Sequence, residues 1–233
     1  MRLATVRAMS ESHKETAGRA AVDHVRRGMR VGLGTGSTVK YTIVEIGERL
    51  RDDRLADIVA VPTSSATAEL AESVGIRLIE LDGSPLDVAI DGADEIDPAL
   101  GLTKGGGGAL MREKIVAAAA DVFIAVAHED KLVSALGESF AIPVEVSRFG
   151  IEATLHHLGG FGRPQLRLDS RQPLISENGN YIVDIDVAPI YHPFRFNELL
   201  ATTPGVLETG IFVNMADMAL IGTDDGVELL EGV

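Results

Sequence analysis

The sequence has 233 residues and a formal net charge of −14, from 35 acidic and 21 basic residues, and it contains no cysteine. A hydrophobic fraction of 45% is sufficient for one large domain, or for a main domain with a small companion. The charge argues against nucleic acids and anionic membranes as partners, and the lack of cysteine excludes disulfides and thiolate metal sites.

The location of the protein is predicted from what its sequence lacks. No apolar stretch is long enough to span a bilayer, and residues 1–15 contain no apolar core typical of a signal peptide. Together with the lack of cysteine, these features predict a cytoplasmic protein. The excess of acids over lysines is typical of a high-salt host, but ordinary acidic drift explains it equally well.

Apolar runs and helix-like segments alternate through the first 127 residues. An amphipathic helix is predicted over 10–28, with Ser10 or Ser12 as its N-cap and Gly28 as its end. The other predicted elements are helices over about 38–51, 64–75 and 109–120, and strands over 29–34, 57–62, 76–81, 85–91 and 121–127. This alternation indicates βαβ units and therefore a Rossmann-like parallel sheet in an α/β domain.

The pattern changes after residue 139. Strands are predicted over 140–146, 164–168, 180–188 and 206–214, and helices within 147–160 and 192–205. The order β-α-β-β-α-β is that of the ferredoxin-like arrangement. We therefore predict a smaller, ferredoxin-like α+β domain over 139–214, inserted into an α/β catalytic domain made of 1–138 and 215–233. The tail is expected to rejoin the main sheet as a strand and a short hairpin.

The segment GLGTGST (32–38) lies between a predicted strand and a predicted helix. Backbone N–H groups and the positive end of a helix attract anions there, and the hydroxyls of Thr35, Ser37 and Thr38 add donors beside Gly36. It is no dinucleotide fingerprint, because Ser37 stands where a glycine is needed, and it lacks the GK[ST] of a P-loop. We interpret it as a phosphate-binding loop. The alternative is a tight turn with a serine or threonine cap.

The segment DGADEID (91–97) follows a predicted buried strand. Ligands of open α/β sheets bind beyond the carboxyl ends of the strands, so Asp91 and Asp94 are expected to face a ligand. A calcium loop is excluded, because Ala93 and Ile96 stand where an oxygen ligand and a glycine are needed. Clustered carboxylates raise one another's pKa, which suits acid–base chemistry. The alternative is a solvated acidic loop.

Lys104 precedes four consecutive glycines, and the helix-prone run ALMREK follows them. Consecutive glycine N–H groups can form an anion-binding concavity or an oxyanion site, to which Lys104 adds a charge. Glu113 lies one or two turns into the helix and could point back toward the same space, although a surface glutamate is the alternative. Lys131 and Lys14 could each meet a phosphate or remain solvated. The histidines show no spacing typical of a metal site, so no metal is predicted.

Four motifs, in this order and spacing, closely resemble the type A ribose-5-phosphate isomerase family: GLGTGST, DGADEID, KGGGGALMREK and IGTDDGV. The resemblance extends over nearly the whole chain. It implies an aldose–ketose isomerase that interconverts ribose 5-phosphate and ribulose 5-phosphate in the non-oxidative branch of the pentose phosphate pathway. It also implies an α/β sheet domain with a ferredoxin-like lobe, no metal or organic cofactor, and a homodimer or homotetramer.

The resemblance also assigns roles to residues. It implies that Glu113 abstracts the proton and that Asp91, Asp94 and Lys104 take part in catalysis, without deciding which aspartate opens the sugar ring. The segment PTSSATAEL (62–70) departs from the expected pattern, which leaves its contribution open. The substrate-binding residues that the resemblance implies are Thr35, Gly36, Ser37, Thr38, Asp91, Gly92, Ala93, Asp94, Lys104, Gly105, Gly106, Gly107, Lys131 and Lys14.

Two alternatives from other classes remain for this sequence. One is a sugar-phosphate sensor that binds without chemistry, and the other is a different enzyme of related fold, such as a sugar-phosphate deaminase or an acyl-CoA transferase. Sensors of this kind usually carry a DNA-binding domain, whereas this sequence has no basic face. The complete KGGGGALMREK element argues against both the deaminase and the acyl-CoA transferase.

Overall fold

A computed structural model of the chain describes residues 2–232, with side chains described from Ser10 onward. The helices are α1 (Arg2–Ala20), α2 (Val39–Arg51), α3 (Ser65–Ser73), α4 (Leu110–Ala118), α5 (Ile151–Leu158) and α6 (Pro193–Ala201), with short 3-10 turns at Ala21–His24 and Glu129–Lys131. The first eight strands are β1 (Arg30–Leu33), β2 (Val59–Pro62), β3 (Arg77–Leu78), β4 (Val88–Gly92), β5 (Glu95–Ile96), β6 (Leu102–Thr103), β7 (Phe123–His128) and β8 (Ile142–Val146). The others are β9 (Arg163–Leu166), β10 (Leu168–Asp169), β11 (Gln172–Pro173), β12 (Tyr181–Asp186), β13 (Val206–Thr209), β14 (Ile211–Phe212), β15 (Met218–Thr223) and β16 (Gly226–Glu231).

The chain divides into two compact units. The first unit comprises Met1–Ala93, Ile115–Lys131 and Met215–Val233, and the second unit comprises Asp94–Lys114 and Leu132–Asn214. Residues 94–114, which the sequence analysis assigns to the α/β domain, therefore make their contacts mainly within the second unit. Whether the predicted boundaries at 139 and 214 delimit separately folding domains stays a prediction.

The first unit contains a seven-stranded sheet in the order β16-β15-β7-β4-β1-β2-β3. Every neighbouring pair is parallel except β15 and β16, which form the predicted terminal hairpin. In this sheet β1 lies between β2 and β4, so the chain extends the sheet from β1 in two opposite directions. The carboxyl ends of β1 and β4 therefore flank a topological switch point, which is where open α/β sheets bind ligands.

Apolar side chains on helices and strands form the core of the first unit. Val31 and Leu33 on β1 are fully buried, and the helix positions Val39, Ile43 and Ile46 of α2 are almost fully buried against them. The spacing of these α2 positions places one apolar stripe toward the sheet. The rigid packing of β1 and α2 fixes the direction of the glycine-rich segment that joins them.

The second unit contains an antiparallel sheet in the order β13-β8-β12-β9, with α5 between β8 and β9 and α6 between β12 and β13. This order is the ferredoxin-like arrangement that the sequence predicts. Its core includes Ile142, Val144 and Val146 from β8, packed with Val183 and Ile185 from β12. The predicted fold class, an α/β protein with a ferredoxin-like α+β part, is confirmed.

The first helix differs from its prediction. Ser10 and Ser12 lie inside α1 rather than at its start, and the helix ends at Ala20, after which a 3-10 turn leads to Val25 in an extended conformation. Gly28 has a φ of +81° and belongs to the turn before β1. Serine is tolerated within a helix, so its capping preference did not locate the start of this one.

Two small elements escaped prediction because their strands have two residues each. The strands β14, β6 and β5 form a three-stranded sheet, and β10 pairs with β11 in a hairpin. The predicted strand 206–214 is in fact two strands, β13 and β14, which belong to different sheets. Among the described residues, no helix is long and apolar enough to cross a membrane.

Candidate active site

The GTGST segment joins β1 to α2 in the first unit. Thr38 is the N-cap of α2 but its side chain makes no capping hydrogen bond, and Gly36 and Ser37 are exposed. The N-terminal N–H groups of a helix of this length carry a partial positive charge and lack intrahelical acceptors. The segment is therefore able to bind an anion through backbone N–H groups and the hydroxyls of Ser37 and Thr38.

Asp91 lies at the end of β4, next to the GTGST segment. Its Oδ1 accepts hydrogen bonds from the backbone N–H of Thr35 at 3.0 Å and of Gly92 at 2.7 Å. A Cβ atom on Gly34 would lie only 1.9 Å from this oxygen, so the approach of the carboxylate requires glycine there. The structure thus brings the predicted residues Thr35 and Asp91 together at the topological switch point.

The side chain of Thr35 belongs to a cluster of hydroxyl groups. Its Oγ1 lies 2.7 Å from Thr63 Oγ1, 2.8 Å from Ser64 Oγ and 3.2 Å from Thr67 Oγ1. Thr67 in turn donates to the backbone carbonyl of Gly34 at 2.8 Å. The role of PTSSATAEL is open from the sequence alone, and the signal that indicates it is a run of hydroxyl residues directly after β2, the strand adjacent to β1. These residues hold the loop in place.

Lys14 of α1 shares a partner with the first turn of α2. Glu11 lies 3.5 Å from Lys14 Nζ through one carboxylate oxygen. Its other oxygen accepts hydrogen bonds from Lys40 Nζ at 2.7 Å and from the hydroxyl of Tyr41 at 2.6 Å. The bonds from Lys40 and Tyr41 lower the pKa of Glu11 to about 2. This contact brings the charge of Lys14 to the helix that follows the GTGST segment.

Lys131 lies in the 3-10 turn that follows β7, close to His128. Burial lowers the pKa of His128, and the positive charges of Lys14, Lys131 and His13 lower it further, while Asp130 opposes them. His13 also pairs with Asp224 at 2.9 Å. The first unit therefore gathers the two predicted lysines around His128.

Lys104 and Glu113 form an ion pair inside the second unit. Lys104 Nζ lies 3.3 Å from Glu113 Oε2, and both residues are buried, at 2% and 3% exposure. Lys104 Nζ also lies 5.4 Å from the centre of the Phe212 ring. Glu113 is in the first turn of α4, and the buried lysine supplies the charge that its carboxylate needs away from water. The structure thus excludes the surface-glutamate alternative for Glu113.

The glycine run is held on one side by Asp94. Its Oδ2 accepts a hydrogen bond from the backbone N–H of Gly106 at 2.7 Å, and a Cβ atom on Gly106 would lie 2.6 Å from Oδ1. Gly106 and Gly107 are exposed, whereas Gly105 and Lys104 beside them are buried. The second unit therefore presents the exposed backbone of Gly106 and Gly107 close in sequence to a buried acid–base pair.

Arg112 and Lys114, which flank Glu113, form ion pairs with other residues. Arg112 pairs with Glu177 at 3.3 Å, whereas Lys114 pairs with Glu208 at 2.6 Å and donates to the carbonyl of Thr209 at 2.6 Å. Burial lowers the pKa of Lys114, although the charge of Glu208 opposes this. Arg112 and Lys114 thus have structural partners of their own.

The predicted site residues are divided between the two units. Asp94, Lys104, Gly105, Gly106, Gly107 and Glu113 belong to the second unit, and the other predicted residues belong to the first. Within the described residues no group of three histidine or acidic side chains is arranged to hold a metal ion.

Comparison with known proteins gives a consistent result. A model of the ribose 5-phosphate isomerase A (phosphoriboisomerase A) family matches residues 59–226. The chain is 44% identical over 213 residues to the ribose-5-phosphate isomerase A of Thermosynechococcus vestitus, covering 90% of each sequence. It is 45% identical over 222 residues to that of Roseiflexus castenholzii, covering 94% of this chain and 95% of the relative.

Solved structures agree with the sequence relatives. A D-ribose-5-phosphate isomerase in complex with phospho-erythronic acid superposes with a TM-score of 0.93 at 40% identity, covering 95% of this chain and 99% of that one. The ribose 5-phosphate isomerase of Plasmodium falciparum superposes with a TM-score of 0.92 at 39% identity, with coverages of 95% and 98%. The similarity therefore includes both units of the chain.

Proposed function

This chain belongs to the ribose 5-phosphate isomerase A family, and from that membership we infer that it interconverts D-ribose 5-phosphate and D-ribulose 5-phosphate. The reaction moves hydrogen between C2 and C1 of the open-chain sugar and serves the pentose phosphate pathway. A proton on carbon is weakly acidic, so catalysis needs both a base and groups that stabilise the negative oxygen of the enediolate intermediate.

Glu113 is the base in the mechanism that we propose. It removes the proton from C2 of ribose 5-phosphate and returns it to C1, while Lys104 and the N–H groups of Gly105 to Gly107 stabilise the enediolate oxygen. The observation that carries this assignment is the buried pair of Glu113 and Lys104, 3.3 Å apart, in the same unit as the exposed backbone of Gly106 and Gly107. Burial away from water strengthens such electrostatic interactions.

The remaining predicted residues have binding and ring-opening roles in this proposal. The sugar binds as a closed furanose, and its phosphate is held by Ser37 and Thr38 at the start of α2, with the charges of Lys14 and Lys131. This assignment is supported by the exposure of Gly36 and Ser37 directly before α2 and by the link between α1 and α2 through Glu11. Asp91 and Asp94, with Lys104, transfer the protons that open the ring.

We also propose that the protein is cytoplasmic, that it acts without a metal or organic cofactor, and that it forms a homodimer or homotetramer. The family resemblance supports these statements. Large apolar side chains exposed in the second unit, such as Phe149 at 92% and Tyr191 at 76%, are consistent with an interface between copies. Activity that survives treatment with a chelator would support the metal-free mechanism, whereas restoration by added metal would contradict it.

Replacement of Glu113 tests the mechanism directly. Glu113→Gln should lower kcat by ~10²–10⁴-fold with little change in KM, because the amide keeps the shape but cannot accept the proton. Ser37→Ala in the same assay should instead raise KM, because it removes a donor to the phosphate. The measurement is steady-state conversion of ribose 5-phosphate, with deuterium incorporation from heavy water as the sign of proton transfer through an enediolate.

Matched controls are available on the same chain. Glu152 occupies the first turn of α5 but is exposed, and Ser73 is an exposed serine on α3, so Glu152→Gln and Ser73→Ala should leave both constants unchanged. A Glu113→Gln variant with normal kcat would remove the glutamate from the chemistry. Binding of ribose 5-phosphate by the wild-type protein without any product would instead favour a sensor.

A further inference from the structure

Arg167 contacts the glycine run from the side opposite Asp94. It lies between β9 and β10, and its Nη1 donates hydrogen bonds to the backbone carbonyl of Gly105 at 2.7 Å and of Gly106 at 3.1 Å. The arginine side chain is only 15% exposed, so solvent competes little for these bonds. Two successive carbonyl groups of the run are therefore bound by one cation.

Asp184 of β12 holds the guanidinium group of Arg167 in place. Arg167 Nε donates to Asp184 Oδ2 at 2.8 Å, and Arg167 Nη2 donates to the other carboxylate oxygen, so the pair is bidentate. Planar, two-point contacts of this kind fix the orientation of an arginine much better than a single bond would. β12 is an inner strand of the antiparallel sheet. Asp184 therefore anchors the guanidinium group of Arg167 to the sheet of the second unit.

The direction of the carbonyls determines the direction of the N–H groups. A peptide group is planar and trans, so the C=O of one residue and the N–H of the next point in opposite directions. With the carbonyls of Gly105 and Gly106 turned to Arg167, the N–H groups of Gly106 and Gly107 must point away from it. The bond from Gly106 N–H to Asp94 at 2.7 Å agrees with this geometry. No acceptor in the described part of the chain takes the N–H of Gly107.

Glycine makes this arrangement depend on an external constraint. A run of glycines has no side chains to restrict its dihedral angles, so its peptide groups can flip at little steric cost. A flipped Gly106–Gly107 peptide would present a carbonyl oxygen, which repels an anion, where an N–H donor is needed. The turn bond from Gly108 N–H to the carbonyl of Gly105 at 2.9 Å closes the segment, but it does not hold the peptide group between Gly106 and Gly107. Arg167 and Asp94 hold the exposed segment from its two sides.

We propose that Arg167, held by Asp184, is a positioning residue that keeps the N–H group of Gly107 directed at the enediolate oxygen, while the N–H group of Gly106 stays bound to Asp94. The positive charge on the carbonyl side also polarises both peptide groups and makes their N–H groups stronger donors. The inference rests on the proposed function, since it assigns the N–H group of Gly107 to the intermediate. Arg167 itself touches neither the substrate nor Glu113 in this account.

The test compares Arg167→Met with wild type. Because a positioned donor matters most in the transition state, kcat should fall by about 10-fold or more, somewhat less than the ~10²–10³-fold for loss of a direct oxyanion donor, and KM should change little. Arg167→Lys keeps the charge without the two-point contact, so its kcat should lie between those of the wild type and Arg167→Met. Asp184→Asn should lower kcat in the same direction.

A matched control and a rescue experiment separate positioning from folding. Arg163 of β9 pairs with Asp186 of β12, the strand that also carries Asp184, but Arg163 is 82% exposed. Arg163→Met therefore removes an arginine–aspartate pair without touching the glycine run and should leave kcat unchanged. Guanidinium ion added to Arg167→Ala should restore part of the lost kcat, and an equal concentration of sodium chloride should not. Folding of each variant is checked by circular dichroism and thermal unfolding.

Three outcomes would overturn the proposal: a normal kcat in Arg167→Met, a loss confined to KM, or a loss that guanidinium does not reverse. Binding of phospho-erythronic acid, whose carboxylate resembles the enediolate, provides a second measurement that needs no turnover. The acid should bind Arg167→Met more weakly than wild type by about the factor lost in kcat/KM. A wild-type protein without isomerase activity would refute the proposed function alone, whereas unchanged binding of the acid in an otherwise active Arg167→Met would refute the role of Arg167.

Discussion

Two buried glutamates of the second unit have the same residue type and similar burial but different surroundings. Glu95 accepts hydrogen bonds from Thr103, Ser139 and three backbone N–H groups between residues 137 and 140, so both of its oxygens are engaged in structure. Glu113 instead faces the ammonium group of Lys104. A carboxylate that accepts several structural hydrogen bonds is fixed in place, whereas one held in an ion pair can exchange that partner for a substrate. The role of a buried glutamate is therefore determined by the groups that contact its carboxylate, because the residue type is the same in both cases.

His128 provides a prediction of how stability depends on pH. Burial, assisted by the charges of Lys14, Lys131 and His13, places the pKa of His128 below its ordinary value of 6.5. In the window below 6.5 the unfolded chain binds a proton at this position that the folded chain does not, so stability falls as the pH falls. Between about pH 7.5 and about pH 5.5 the wild type should lose more free energy of unfolding than His128→Asn does.

The measurement is urea unfolding at several pH values. His157→Asn removes an exposed histidine of α5 and should keep the pH dependence of the wild type. Parallel pH curves for wild type and His128→Asn would mean that this imidazole titrates alike in the folded and unfolded states.

Short elements carry the chemistry of the second unit. The three-stranded sheet of β5, β6 and β14 has only two residues in each strand, yet it directs the residues that flank it. Asp94 N–H donates to the carbonyl of Thr103 at 2.8 Å, and Lys104 N–H donates to the carbonyl of Gly210 at 2.8 Å. Backbone hydrogen bonds thereby fix the positions of Asp94, before β5, and of Lys104, after β6. Strands of two residues leave no pattern in the sequence that would predict this arrangement.

Glu95 ties this small sheet to the segment 137–140, and its replacement tests the stability of the element. Glu95→Gln should lower the free energy of unfolding by at least ~2 kcal/mol, because an amide nitrogen would face N–H donors and each buried donor without an acceptor costs about 1–3 kcal/mol. Chemical denaturation measures the loss, and Glu152→Gln on exposed α5 should unfold like the wild type. An unfolding midpoint of Glu95→Gln equal to that of the wild type would show that these bonds contribute nothing net.

At the scale of the whole molecule, charge and assembly oppose each other. Each copy carries a formal charge of −14, so two copies repel, and added salt screens this repulsion over a distance of ~10 Å at 0.1 M. The proposed homo-oligomer should therefore show two or four times the chain mass of 24.7 kDa in light scattering, and it should associate more tightly as salt is added.

The control for this experiment is a non-ionic solute at the same osmolality, which should leave the association unchanged. A mass of one chain at every concentration would exclude the oligomer. An oligomer that dissociates as salt is added would show that ion pairs between copies outweigh the repulsion of their net charges.

The order of the larger elements, the two-part fold class and the motifs that carry the family resemblance could all be predicted from the sequence. These properties follow from periodicity, from glycine and from local residue order, which are written along the chain. The start of α1, the small sheet and the hydroxyl cluster of Thr35, Thr63, Ser64 and Thr67 could not be derived in this way. Two-residue strands have no period to detect, and hydroxyls separated by about 30 residues meet only because β1 and β2 are neighbours in the sheet.

The pairing of charged groups and the direction of the backbone N–H and C=O groups could not be predicted and are seen only in the folded chain. Folding buries Glu113 against Lys104, engages Glu95 in structural bonds and places Arg167 on the carbonyl side of the glycine run. The physical reason is that burial and hydrogen bonding depend on distances between residues far apart in the chain, here 62 positions between Gly105 and Arg167. Local sequence patterns describe neighbours along the chain and contain no information about such distances.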